Sequence, residues 1–411
     1  MKKLIRNRWY IGAPMLLAAA MAMAQDGSAV IKARWDDGVL RVVGTAGPDQ
    51  ISIASSGGLI EVNGGLVRIS GGLAMLSNTR RIIVHAGAGN DQVTLHEFNG
   101  ALPAADLDGG EGHDLLIGAS GDDLLKGRDG NDVLIGHQGN DFVQGQGGDD
   151  LLIVNEGDGN DLIEGGLGRD VVQVSSSNSD DEISIMERSD GAVMIHRNSG
   201  SIVADTEIRG VEDLQVYGQG GDDVIKSSLS GASSMALALN GDQGNDLLSG
   251  GDGVEVLRGG AGNDTLLGNR GNDVVLGQDG DDLMIVNSGD GSDVYEGGNG
   301  RDVVQANGSE SDDEMGAVLM ADGAVIFITD SIEAGDSSVI IGTTELMLVD
   351  GLGGNDVIIG SDAIALNARG GSGEDLLIGG AGNDFLDGGE GRDQCRGGGG
   401  NDRFSGCESV D

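Results

Sequence analysis

From Gly109 the chain repeats a nine-residue pattern: six polar or glycine positions, then three residues of which the middle one is large and apolar. The first copies read GGEGHDLLI, GASGDDLLK, GRDGNDVLI, GHQGNDFVQ and GQGGDDLLI. Side chains alternate across a strand, so a three-residue strand buries one side chain and turns two outward. The pattern predicts a turn at positions 1–6, a strand at 7–9, and a core built from the position-8 residues Leu116, Leu125, Leu134, Val143 and Leu152. After Val154-Asn155 it resumes as EGDGNDLIE and GGLGRDVVQ, which adds Ile163 and Val172. One turn and strand make half a coil of a flattened solenoid, so copies two apart stack as parallel neighbours.

A second period, of 132 residues, carries the whole layout forward. From Gly241 come GDQGNDLLS, GGDGVEVLR, GGAGNDTLL, GNRGNDVVL and GQDGDDLMI, then Val286-Asn287, then SGDGSDVYE and GGNGRDVVQ. A third block keeps GGSGEDLLI, GGAGNDFLD, GGEGRDQCR and GGGGNDRFS, and lone copies begin at Ala86, Gly218 and Gly351. Each block is prefaced by short runs of strict alternation, such as EISIMERSDGAVMIHRNSGSIVAD, which predict antiparallel strands with tight turns. The expected fold is all-β: parallel β-roll or β-solenoid blocks interleaved with short antiparallel segments. The expected division is a leader at 1–24, then unit 1 at 25–165 with repeats at 109–173. Unit 2 follows at 166–297 (strand segment 174–217, repeats 241–305), and unit 3 at 298–411 (repeats 370–405, then a C-terminal clasp).

Composition narrows the chemistry. Seventy-eight Gly stand against 2 Trp, 3 Tyr and 5 Phe, so the core must be aliphatic and thin. A formal charge of -44 excludes nucleic acid, whose phosphates need the opposite sign, and points to cations. The regular spacing of the acids argues against a merely solvating role. Glycines at positions 1, 2 and 4 are expected to permit positive φ and close backbone approach. Position 5, often Asn as at Asn131, Asn140, Asn245 and Asn272, is expected to tolerate a left-handed conformation.

Position 6 is the candidate ligand. It is Asp114, Asp123, Asp132, Asp141, Asp150, Asp161 and Asp170 in the first block, and Asp246, Asp264, Asp273, Asp282, Asp293 and Asp302 in the second. The third block has Asp375, Asp384, Asp393 and Asp402, and the lone copies have Asp91, Asp223 and Asp356. Calcium takes six to eight oxygens at about 2.3–2.6 Å, and a carboxylate beside turn carbonyls supplies that set; magnesium would want tighter octahedral geometry. Glu255, where Asp is expected, predicts a weak or missing site.

These copies resemble the RTX, or haemolysin-type, calcium-binding nonapeptides. The resemblance implies a right-handed parallel β-roll with Ca2+ between successive turns, ligated by the position-6 Asp and turn carbonyls. Members of that family often carry a catalytic or pore-forming domain ahead of the repeats and use an uncleaved C-terminal export signal. Here Lys2, Lys3, Arg6 and Arg8 precede an apolar run from Ile11 to Ala24, with Ala22-Met23-Ala24 before Gln25, which predicts a cleaved secretory leader instead. Cleavage removes four basic residues and no acidic one, so export makes the chain more acidic.

The expected location is extracellular, with periplasmic or cell-surface residence as alternatives, and no other run could span a membrane. In an oxidising compartment Cys395 and Cys407 are expected to pair as a C-terminal disulfide, since no His or further Cys accompanies them to make a zinc site. No enzyme is expected: His96-Glu97 lacks the second His of a zinc-protease motif, and no G-x-S-x-G elbow occurs. His113 and His137 read as surface substitutions. Two functions are compatible with this reading: a secreted calcium binder that folds on the ion, and a calcium-stabilised adhesin or matrix protein with a cell-surface partner.

Overall fold

The computed structural model describes residues 30–200, 202–311, 313–319, 325–331, 337–341 and 345–410, and the expected leader at 1–24 lies outside them. The described residues form 39 strands in two sheets, wound as a solenoid of about fifteen coils; the first sheet has 20 strands. Nonapeptide strands pair in parallel with the strand two copies on. In the first sheet Leu125 lies opposite Val143, and Val143 opposite Ile163. In the second, Leu116, Leu134, Leu152 and Val172 follow one another in register. All seven are buried, as the alternation requires, and belong to a single aliphatic core running between the sheets.

The alternating segments are antiparallel meanders spliced into the parallel sheets. Strands Glu182–Glu187, Val193–Asn198 and Val203–Arg209 pair antiparallel, with Ile185 opposite Ile195 and Ile195 opposite Thr206. Their outer members pair in parallel with Asp161–Leu167 on one side and Val224–Ser228 on the other, so the first sheet continues through the insertion. Opposite them the second sheet passes directly from Val171–Ser175 to Asp213–Tyr217. Strands Asp313–Leu319, Val325–Ser331 and Ser337–Ile341 make a corresponding meander in the second sheet, between Val294–Asn299 and Val357–Ile359.

The meanders thus alternate between sheets, because the 132-residue unit turns the chain over by a half coil. Leu116 lies in the second sheet and its counterpart Leu248 in the first. The outward position-9 column Ile117, Ile135 and Ile153 is half-buried on the second sheet, and its counterparts Ser249, Leu267 and Ile285 stand on the first. At the C-terminus Cys395 and Cys407 are joined by a disulfide, Cα to Cα 6.0 Å, which ties the last coils together.

Candidate metal centre

Each turn delivers its position-6 aspartate to the inside of the solenoid edge, where one carboxylate oxygen serves the backbone. Asp132 Oδ1 accepts the N–H of Asp114 at 2.8 Å, Asp150 Oδ1 that of Asp132, and Asp170 Oδ1 that of Asp150. All twenty aspartates proposed from the sequence make this bond to an earlier coil. They fall into six rows, beginning with the bonds from Asp49 to Asp91, Ala105 to Asp123, Asp181 to Asp223, Glu255 to Asp273, Asp313 to Asp356 and Leu366 to Asp384. The same bond recurs at Asp114, Asp141, Asp161, Asp246, Asp264, Asp282, Asp293, Asp302, Asp375, Asp393 and Asp402.

The second oxygen is different. In Asp91, Asp114, Asp132, Asp141, Asp150, Asp170, Asp223, Asp246, Asp264, Asp273, Asp282, Asp302, Asp384 and Asp393, Oδ2 is buried and accepts no hydrogen bond. A buried carboxylate oxygen without a partner is costly and calls for an ion or a proton. Burial accordingly pushes Asp141 and Asp273 up to about 8 and Asp91, Asp150, Asp223 and Asp264 up to about 7, with neighbouring carboxylates adding to the rise.

Backbone oxygens complete the setting. A Cβ on Gly127 would collide with Asp132 Oδ2 and approach Gly145 O; one on Gly241 would meet Asp246 Oδ2 and Gly259 O. Position-1 glycine is therefore required by space, not by positive φ, which corrects the expectation for that position: none of Gly109, Gly127 and Gly241 is left-handed. Among the described residues no three His, Cys, Asp or Glu side chains converge as a metal cluster. An ion here must draw much of its ligand set from carbonyls. That mixture of one hard carboxylate with several carbonyls in a flexible-sized cage suits calcium better than magnesium.

Position 5 is also corrected. Asn131, Asn140, Asn245 and Asn272 have no left-handed φ. Their role is a second ladder on the outside of the edge, running opposite to the first: Asn131 Oδ1 accepts the N–H of Asp149, Asn140 Oδ1 that of Asn160, and Asn245 Oδ1 that of Asn263. His113 belongs to this ladder and is more than a surface substitution. Its N–H donates to Asn90 Oδ1 and its Nδ1 accepts the N–H of Asn131 at 2.8 Å. Left-handed residues occur instead at position 2, His137 among them.

Sequence reasoning missed the ends of the rows. Asp49, Asp181 and Asp313, spaced 132 apart, open the three long rows, and Glu212, Glu345 and Glu408 close them by accepting the N–H groups of Asp170, Asp302 and Asp393. Asp158 and Asp290 were missed too. Each accepts the N–H of the Asn in the two-residue insertion, Asn155 or Asn287, at 2.6 Å and so folds the extra residues into the coil.

A two-sheet parallel solenoid with ladders of inward aspartates along its edges defines a β-roll. The family model of the RTX calcium-binding nonapeptide repeat (4 copies) matches residues 108–143, 127–158, 157–172, 238–266, 249–284, 287–310 and 369–404. The chain carries RTX calcium-binding nonapeptide repeats in several copies across 108–404, and calcium is the ion these motifs bind. No curated protein sequence matches the chain. Among the described residues no helix is long and apolar enough to cross a membrane.

Proposed function

We propose that this is a secreted RTX-like scaffold that folds on binding calcium outside the cytoplasm and has no catalytic site of its own. The observation that carries the reading is the rows of buried aspartates whose Oδ2 atoms have no partner in the protein. The position-6 Asp rows, with carbonyls of the same and adjoining turns, would hold the ions. Without the ion, stacked carboxylates oppose coil formation, and glycine-rich turns lose much chain entropy on ordering. Extracellular calcium modules bind at about 10⁻⁴–10⁻³ M, a range that keeps such a chain loose before export and folded after it. A C-terminal disulfide at Cys395 and Cys407 fits an oxidising destination. Calorimetric calcium titration of the full chain beside Asp132→Ala tests the reading. Uptake of several ions by the parent with fewer by the variant supports it, and no heat of binding in either refutes it.

A further inference from the structure

The turns are of two kinds, separated by the residue at position 2. In the first kind position 2 is left-handed: φ is +92° at Arg128, +66° at His137, +80° at Gln146 and +83° at Gln278. Side chains avoid this region at about 1–2 kcal/mol each, so holding several there marks a conformation imposed by the stack. The matching carboxylates, Asp132, Asp141, Asp150 and Asp282, are among those whose Oδ2 has no donor.

In the second kind position 2 is not left-handed, and its N–H closes onto the carboxylate. Ala119 N–H donates to Asp123 Oδ2 at 2.9 Å. Ser177 donates both its N–H, at 2.9 Å, and its hydroxyl, at 2.8 Å, to Asp181 Oδ2. Gly251 N–H reaches Glu255 Oε2 at 3.2 Å, and Thr45 and Ser309 N–H reach Asp49 and Asp313 Oδ2 at 2.5 Å. Every one of these five is the first turn of its row. In the sixth row the first turn is intermediate: Gly380 has no left-handed φ and its N–H faces the Asp384 carboxylate, but it makes no full hydrogen bond to Oδ2.

The stack explains the division. A Cβ on Gly260 would strike the carbonyl of Asp242, and one on Gly298 that of Gln278, so in these turns the left-handed residue lies directly against position 2 of the turn before. A first turn packs on a coil that is not a nonapeptide turn, as Gly251 does on the Leu229 carbonyl, and its position-2 N–H turns to its own carboxylate. Asp181 keeps Oδ1 free, and the buried Arg197 guanidinium supplies positive charge to it.

We infer that an opening turn capped by its own position-2 N–H, as in five of the six rows, contributes no carboxylate to calcium, whereas turns with a left-handed position 2 do. Asp123 and Glu255 are then structural caps, and the two rows they open each carry one ligating carboxylate fewer than their repeat motifs suggest. This rests on the reading of the turns as calcium sites. Tightly bound calcium per full-length chain, measured by equilibrium dialysis and atomic emission, tests it with near-isosteric amides. Asp132→Asn and Asp282→Asn should each lose at least one ion, while Asp123→Asn and Glu255→Gln keep the parent number. Loss of an ion in either capped variant overturns the inference. So does loss of β circular dichroism in both, because an amide oxygen at Asp123 can still accept the Ala105 N–H. If Asp132→Asn and Asp282→Asn lose nothing, the calcium reading itself fails instead.

Discussion

Asp132 is bonded to Asp114 by one oxygen only: Oδ1 accepts the Asp114 N–H at 2.8 Å across one coil, and Oδ2, buried, meets no donor. On the proposed reading the two oxygens divide structure from ion binding, and substitutions that separate them should behave differently. In excess calcium, Asp132→Ala loses both and should cost more than Asp132→Asn, which keeps the ladder acceptor. The difference should be about 1–3 kcal/mol, the cost of leaving a buried donor unmade, read by denaturant unfolding. Equal losses would mean that the ladder bond contributes nothing.

Protons should substitute for calcium in the metal-free chain. Burial raises the aspartates from their ordinary value, Asp132, Asp246 and Asp282 to about 6 and Asp141 and Asp273 to about 8. A carboxyl with a raised folded pKa binds its proton more tightly in the folded state, so its contribution is full below the unfolded value near 4 and is lost as pH climbs through 6–8. In a chelator, thermal stability should therefore fall from pH 4 to pH 8. In saturating calcium the slope should flatten, because the ion competes with the proton for the same oxygen.

Glycine at position 1 is a spatial requirement. Gly127→Ala places a methyl against Asp132 Oδ2 and Gly145 O and should destabilise by more than about 1 kcal/mol. Gly47→Ala, with nothing within 4 Å and no left-handed φ, should stay within about 0.5 kcal/mol. Chemical denaturation of both, compared with the parent, checks this.

The disulfide should act locally. Cys395 and Cys407 are 12 residues apart, and reduction should cost about 2–4 kcal/mol of C-terminal stability. Hydrogen exchange should show the change at Gln394–Gly398 and Ser409–Val410, with Leu115–Ile117 unaffected.

What was legible in the sequence followed from strict periodicity. Leu125, Leu134 and Val143 declare their burial because period-2 alternation leaves one inward place per three-residue strand, and the 18-residue pairing follows from two copies per coil. Asp132 and its equivalents were legible as candidate ligands because one acid recurs every nine residues. The row ends were not, since Asp49 and Glu212 lie in segments spelled unlike the nonapeptide and act through position in the stack. Position 2 was legible where it is glycine, as at Gly110 and Gly260, and illegible where it is not. Arg128 and Gln146 adopt a conformation their own chemistry disfavours, and only the neighbouring turn reveals why. Asn131 invited an explanation from backbone propensity, whereas its side-chain oxygen serves the next coil.

The central claim is that calcium is the folding ligand of this solenoid. Far-ultraviolet circular dichroism of the full chain at pH 7.5, taken from chelator into rising calcium, addresses it most directly. The account predicts little β signal in chelator and a cooperative gain as calcium passes through about 10⁻⁴–10⁻³ M. A full β spectrum in chelator that calcium leaves unchanged would contradict it.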